Sequence, residues 1–259
     1  MKPRLGQHFL FDQAILDRII DTASIDNSDT IIEIGPGHGT LTVKLLEKAG
    51  RVIAIELDRQ LHHKLVQRFQ GNDKLQLISG DALRFDFGSI GRFKVVSNIP
   101  YQITTPLIFR LLKDKDLLTS MTLTMQKEVA DRITAPPGTK TYGILSLTVQ
   151  YHTEPVEIFT IPPEAFRPPP KVKSTVIHFK ILENPSVRVD DPELYFRIIK
   201  TAFNQRRKTI ANTLKSLYAE NTKEFLQLSG IDPSLRPETI SSKQFADLAN
   251  TIIRMTTRQ

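Results

Sequence analysis

Thr30-Ile31-Ile32-Glu33-Ile34-Gly35-Pro36-Gly37-His38-Gly39-Thr40 sets the architecture of this 259-residue chain. Its first five residues form a short, mostly β-branched apolar run that reads as a buried strand. A Gly-x-Gly-x-Gly turn follows, and then Leu41, Val43, Leu45 and Leu46 mark an amphipathic helix. Glycines between a strand and a helix let backbone approach a ligand closely, and a helix N-terminus favours carboxylate or phosphate. The turn is not the dinucleotide pattern Gly-x-Gly-x-x-Gly, because Thr40 stands three residues after Gly37. That departure argues against a nicotinamide oxidoreductase.

Around this stretch, strand-like runs recur at 51–55, 75–78, 93–97 and 121–125. Upstream, Asp12 is placed to cap a helix whose Ile15, Leu16, Ile19, Ile20 and Ala23 form one apolar stripe. Strands alternating with helices at this spacing predict an α/β fold with a doubly wound, mostly parallel sheet. Such sheets bind ligands beyond the carboxyl ends of their strands. The rhythm changes after about residue 140, where runs at 156–161 and 174–181 flank Ile161-Pro162-Pro163-Glu164-Ala165-Phe166-Arg167-Pro168-Pro169-Pro170. With no long helix between them, these runs are expected to pair as an antiparallel hairpin at the sheet edge, giving seven strands in all. Glu183-Asn184-Pro185-Ser186 reads as a linker, and only helical patterns follow it. The expected domains are 1–183, catalytic and cofactor-binding, and 184–259, small and all-α.

Composition is that of a globular protein, 40% hydrophobic and 24% charged. A formal net charge of +7 favours a polyanionic partner, nucleic acid above all. The absence of cysteine excludes disulfides, thiolate metal sites and cysteine nucleophiles. No stretch approaches 18 consecutive apolar residues, and the N-terminus lacks a secretory apolar run, so a cytoplasmic protein without a membrane span is expected. His38, His62, His63, His152 and His178 have no spacing that suggests a metal site.

Three successive strand ends describe one ligand. The glycine turn closes the first; Glu56, twenty-one residues after Gly35, closes the second and can accept from both hydroxyls of a ribose. Asp81, within Gly80-Asp81-Ala82-Leu83, closes the third and can accept from an adenine amine. Singly, each carboxylate is as readily a solvated loop residue. Together they describe an adenosine-bearing ligand across the top of the sheet. The fourth strand end carries Asn98-Ile99-Pro100-Tyr101, which suits a second base. An adenine amine is a poor nucleophile, so a site that uses it needs acceptors for its N–H groups and an aromatic face for the ring. The Asn98 side-chain oxygen and Ile99 carbonyl can accept, Pro100 stiffens the turn, and Tyr101 can stack. Two adenine-type sites on one sheet edge fit S-adenosylmethionine beside a target adenosine. Arg167, Lys171, Lys173, Arg206, Arg207 and Lys208 are candidate phosphate contacts, although any one of them also suits a solvated basic face.

Leu5-Gly6-Gln7-His8-Phe9-Leu10, residues 33–42, Ile55-Glu56-Leu57-Asp58, Gly80-Asp81-Ala82-Leu83 and Asn98-Ile99-Pro100-Tyr101 together resemble the KsgA-type small-subunit rRNA adenine dimethyltransferases. So do Gln126-Lys127-Glu128-Val129-Ala130-Asp131-Arg132, Tyr142-Gly143-Ile144-Leu145-Ser146, residues 165–172 and Phe203-Asn204-Gln205-Arg206-Arg207-Lys208-Thr209. The resemblance covers almost the whole chain. It implies a class I S-adenosylmethionine-dependent methyltransferase fold and dimethylation of two adjacent adenosines in the 3′-terminal hairpin loop of small-subunit rRNA. It further implies action on a partly assembled small subunit (pre-30S). A monomer that needs no metal is expected. The implied cofactor-binding residues are His8, Leu10, Gly35, Gly37, Glu56, Asp81, Ala82 and Asn98, with His8 and Leu10 at the methionine end. The implied catalytic set is Asn98, Ile99, Pro100, Tyr101 and Phe166, the last stacking on the target base opposite Tyr101. Relatives commonly carry Asn where this chain has His8, and a smaller residue at Arg167. A non-catalytic assembly factor, or an adenine methyltransferase for another nucleic acid, remains open at this level.

Overall fold

The structure is a computed structural model, and it describes residues 8–205 and 207–257. In chain order its elements begin with β1 (Phe9–Leu10), α1 (Gln13–Ala23), β2 (Thr30–Ile34), α2 (Thr40–Lys48), β3 (Arg51–Glu56), α3 (Arg59–Arg68) and β4 (Leu75–Ser79). They continue with β5 (Phe93–Asn98), α4 (Thr104–Leu112), β6 (Leu118–Gln126), α5 (Lys127–Ile133), α6 (Ile144–His152), β7 (Thr153–Ile161), β8 (Phe166–Arg167) and β9 (Ser174–Ile181). Four helices follow: α7 (Pro192–Phe203), α8 (Ile210–Tyr218), α9 (Thr222–Leu228) and α10 (Ser242–Thr256).

The chain divides into two compact units, one running to Ala130 and resuming over Glu154–Ile181, the other comprising Asp131–Thr153 and residues from Leu182 onward. In the first unit, seven strands form one sheet in the order β4-β3-β2-β5-β6-β9-β7. The strands from β4 through β6 pair in parallel, and β9 joins antiparallel to β6. The runs at 156–161 and 174–181 thus meet at the sheet edge, as their lack of an intervening helix implied. Alternate residues of β2 and its neighbours point to opposite faces, and both sets are buried. Ile31, Val52 and Val96 pack with Leu16, Ile19, Leu41 and Leu45 from α1 and α2. Ile32, Ile53 and Val95, their neighbours in sequence, are at most 1% exposed, so the central strands are covered on both faces. Each such side chain contributes about 1.5–3 kcal/mol by leaving water.

Local signals act where the sequence places them. The Asp12 carboxylate accepts the Ile15 N–H at 3.1 Å and starts α1, whose Leu16, Ile19, Ile20 and Ala23 are buried. Asp58 caps α3 in the same way, accepting from Gln60 and Leu61. An additional two-stranded pairing, β1 with β8 antiparallel, joins Phe9 to Arg167 and Leu10 to Phe166.

The second unit departs from the division expected at residue 183, because 131–153 belongs with the C-terminal helices. The reason lies in side-chain packing rather than chain order. Tyr142, Leu147 and Tyr151 join one apolar cluster with Tyr195, Ile198, Phe203, Leu214, Phe245 and Ile252. The Tyr151 and Tyr195 rings lie 5.2 Å apart between centroids. Leu147, 1% exposed, therefore supports the helical unit. Leu147→Ala should destabilise that unit by about 2–5 kcal/mol. Amide hydrogen exchange should show protection falling in α7 and α10 while β2 and β3 keep theirs, and loss confined to the sheet would refute the assignment.

Candidate active site

The glycine turn is built around contacts that exclude a side chain. Gly35 and Gly37 have φ of +68° and +59°, a region costly for residues with a Cβ. A Cβ on Gly37 would come within 2.6 Å of the Phe9 ring, and one on Gly35 within 3.2 Å of Pro100. The turn is thus covered by Phe9 from the N-terminal strand and bordered by Pro100 from the fourth strand end. His8, Phe9, Gly35, Asn98, Ile99, Pro100 and Tyr101 line one pocket there.

The short stretch before α1 lies over this pocket as a strap held at several points. Thr40 donates its hydroxyl to the Leu10 carbonyl at 2.9 Å, and the Phe11 N–H donates to the Ala165 carbonyl at 3.2 Å. The His8 ring Nδ1–H donates to the Pro168 carbonyl at 2.7 Å, since a carbonyl only accepts. Asn98 Nδ2 donates to the His8 carbonyl at 3.0 Å. That bond orients the amide, and it leaves Asn98 Oδ1 buried with no protein partner. A buried acceptor without a donor carries a desolvation cost of about 1–3 kcal/mol unless a donor arrives. An amine N–H is such a donor.

The rest of the turn is rigid. The Ile99 N–H donates to the Thr124 carbonyl at 3.1 Å, and the Ile103 N–H to the Pro100 carbonyl at 3.1 Å. Tyr101 and Ser174 share a hydroxyl–hydroxyl bond of 2.6 Å, and the His8 and Tyr101 rings stand 5.4 Å apart. Burial raises the Tyr101 phenol above its ordinary pKa, which keeps it neutral.

The carboxylates divide by environment. Glu56, 1% exposed, accepts the Gly37 N–H at 3.0 Å and the Asp58 N–H at 2.9 Å, so it braces the turn it was expected to serve. Each of its oxygens keeps a second lone pair for a hydroxyl donor. Desolvation raises its pKa and the neighbouring Asp58 charge adds to the rise, against the Asp58, Gly37 and Leu57 backbone amides, which lower it. Asp81 accepts the Leu83 N–H at 2.9 Å through one oxygen and keeps its other towards Arg84 at 3.8 Å. Ala82 beside it is buried. The glycine turn, the acids at the ends of β3 and β4 and the unpaired Asn98 oxygen are the donor and acceptor set that an adenosine bearing a charged aminoacyl tail requires.

Two of the expected site residues sit in the core. Phe166 is 1% exposed and packs within the cluster of Leu10, Leu16, Ile19 and Val176, which holds β8 to the core. Leu10 is 3% exposed in the same cluster, and its backbone carbonyl belongs to the strap. Arg167, Lys171, Lys173, Arg207 and Lys208 are exposed, while Arg206 lies outside the described residues. The Arg167 guanidinium sits 4.2 Å over the Phe11 ring. No group of acidic and histidine side chains among the described residues is arranged to hold a metal ion. His178 instead bonds the Thr122 hydroxyl at 2.9 Å.

Sequence reasoning overlooked Phe9, Glu33 and Leu57. Phe9 was legible only indirectly, through a glycine that needs a large neighbour. Leu57, 55% exposed immediately after Glu56, places a large apolar side chain in solvent beside the β3 strand end. Glu33 stood out as the one acid in the apolar run of β2. It is fully buried, and the Thr42 hydroxyl donates to it at 2.6 Å.

Comparison with known proteins gives consistent matches. The family model for ribosomal RNA adenine dimethylase matches residues 1–254. A ribosomal RNA small subunit methyltransferase A from Clostridium acetobutylicum is 45% identical over 257 residues, covering 97% of this chain and 93% of the relative. The protein of the same name from Moorella thermoacetica is 42% identical, covering 95% and 91%. Among solved structures, a dimethyladenosine transferase from Plasmodium falciparum superposes with a TM-score of 0.79 at 27% identity, covering 97% of this chain and 98% of that one. The 23S rRNA methyltransferase ErmE, at 22% identity and a TM-score of 0.76 over 95% and 99%, shares the fold.

Desolvation pushes the Glu33 carboxyl from 4.5 up to about 8, with Thr42 opposing and nearby Glu56 adding to the rise. An acid held protonated in the folded state, but free to ionise when unfolded, lowers stability as pH rises between those two values. Glu33→Gln should therefore gain stability over the natural chain from pH 5 to pH 8, by up to a few kcal/mol. Denaturant unfolding of both proteins at the two pH values tests this, and a pH-independent difference would refute it.

Proposed function

We infer the function from family membership: the chain belongs to the ribosomal RNA adenine dimethylase family. It is an S-adenosylmethionine-dependent rRNA adenine dimethyltransferase that acts on small-subunit (16S) rRNA. Our finer reading is that the targets are two adjacent adenosines in the 3′-terminal hairpin loop. The substrate on this reading is the partly assembled small subunit, and the enzyme works as a cytoplasmic monomer. The observation that carries the chemistry is the buried, unpaired Asn98 Oδ1 in a pocket shared with Gly35 and Tyr101.

Gly35, Gly37, Glu56, Asp81, Ala82 and the His8 strap would hold the cofactor, Glu56 at its ribose and Asp81 at its adenine. When bound, S-adenosylmethionine supplies a methyl group on a sulfonium whose departure leaves a neutral thioether. Because nothing anionic must be stabilised on departure, alignment dominates, and positioning alone can be worth about 7–11 kcal/mol. Asn98 Oδ1 and the Ile99 carbonyl accept the two N–H bonds of the target amine. They hold its lone pair towards the methyl donor and favour the positive charge that develops on nitrogen. Tyr101 stacks on the base, and the proton leaves to water after transfer. The adenine reaches this pocket only by leaving its stack, so RNA shape contributes to selectivity. The exposed Arg167, Lys171, Lys173, Arg207 and Lys208 are assigned to phosphates, a reading supported by the net charge of +7.

Incubation with labelled S-adenosylmethionine and undermethylated small subunits, large subunits or DNA should give incorporation only into small-subunit adenosines. Label in DNA or large-subunit RNA alone would overturn the substrate. Asn98→Ala should lower turnover by about 10²–10³-fold while most of the cofactor affinity is kept, and comparable turnover would sink the role given to its oxygen. Affinity for small-subunit rRNA should fall steeply as salt rises, with the log–log slope shrinking by about one for each phosphate-binding Lys or Arg replaced. A slope unaffected by replacing Lys171 and Lys173 would remove them from the interface.

A further inference from the structure

Ser174 begins β9 and is completely buried, a polar side chain at a position with no exposure to water. A buried hydroxyl needs a partner, and the one it has is the Tyr101 hydroxyl at 2.6 Å, across 73 residues of sequence. Its own place is fixed twice over. The β6–β9 ladder pairs it with Gln126, and the Lys173 carbonyl just before it accepts the Lys127 N–H at 2.9 Å. Tyr101, by contrast, is joined to the chain at a turn and has a long lever between its Cα and its hydroxyl. Packing alone lets such a ring swing about χ1, while a bond at the far end from a fixed strand restricts that swing. The His8 ring, 5.4 Å away, flanks the ring, so the ring has a neighbour at its side and an anchor at its tip.

We propose that Ser174 is a positioning residue for methyl transfer, holding the Tyr101 ring in the plane on which the target adenine stacks. The inference rests on Tyr101 being the stacking face in the proposed methyl transfer, and extends it to a residue two strands away from the turn. It also links base stacking to the basic segment ahead of β9. Lys171 and Lys173 are exposed directly before the residue that anchors the ring, so contacts made by the RNA backbone there bear on the strand that holds Tyr101.

A hydrogen bond of this kind contributes about 0.5–1.5 kcal/mol, or roughly a threefold to tenfold effect. The full-length enzyme, Ser174→Ala, Tyr101→Phe and the double variant are compared on undermethylated small subunits. We expect kcat to fall roughly threefold to tenfold in each single variant. KM for subunits should hold, because RNA contacts spread over a wider surface set it, and the Kd for S-adenosylmethionine should also hold. The double variant should be no worse than either single one, since both remove the same bond, and Ser174→Thr should restore most of the loss. A normal kcat in Ser174→Ala, additive losses in the double variant, or a loss expressed in cofactor affinity would each overturn the proposal. A second measurement needs no substrate. In protein labelled with 13C-tyrosine, hydrogen–deuterium exchange of the Tyr101 hydroxyl should quicken in Ser174→Ala, and an unchanged rate would overturn the bond itself. Failure of the natural enzyme to methylate small subunits would instead count against the proposed substrate, and leaves that exchange measurement decisive for Ser174.

Discussion

Parallel pairing of β2 with β3 and β5 is the constraint on which the rest depends. Ile34 stands opposite Ile55, and Ile32 opposite Val95, so three chain segments end at one level on one edge of the sheet. A one-residue slip in any of these pairings would turn its buried side chains to the other face. The register is therefore held by the core on both faces. The glycine turn, Glu56 and the Asn98-Ile99-Pro100-Tyr101 turn, each at the end of one of these strands, are held in place with them. Hydrogen bonds then knit the ends together, with the Gly35 N–H on the Ile55 carbonyl at 2.9 Å and the Gly37 N–H on Glu56 at 3.0 Å. The site is rigid because its parts share the scaffold that the hydrophobic effect assembles.

On that scaffold the N-terminal strap performs two tasks. Phe9 covers the glycine turn, and the His8 carbonyl receives the Asn98 amide. An Asn side chain free to flip would offer nitrogen and oxygen to the pocket in turn. With Nδ2 engaged, only Oδ1 is left to accept, which is the polarity an amine substrate needs. The segment that covers the cofactor turn thereby also orients the group that receives the target. Phe166 serves this arrangement from within the core, since its strand β8 is the partner to which β1 is paired.

Electrostatics within the unit follow burial rather than formal charge. Glu33 and Glu56 are similarly buried, yet Glu56 receives two backbone N–H groups while Glu33 receives one hydroxyl. Amide donors directed at a carboxylate favour its ionised form, and a single hydroxyl does so less. Holding Glu33 neutral avoids placing two like charges in one low-dielectric region.

The local patterns were legible from the chain alone. Asp12 as a cap, the apolar stripe of α1, the strand–turn–helix at Gly35 and the order of functional strand ends all depend on residues within a few positions of one another. The resemblance carried by the same motifs identified the chemistry. Long-range pairing was not legible. Two-residue strands such as β1 and β8 have no periodicity to detect, and their partners lie far apart in sequence. Hence nothing local marked Phe166 and Leu10 as members of one buried cluster, or Tyr142, Leu147 and Tyr151 as partners of helices that begin some fifty residues later. Ser174 showed no sign of its bond to Tyr101 for the same reason. Periodicity and capping record which backbone a segment adopts. Which side chains then meet is decided by the packing of whole elements, and that exists only once the chain has closed on itself.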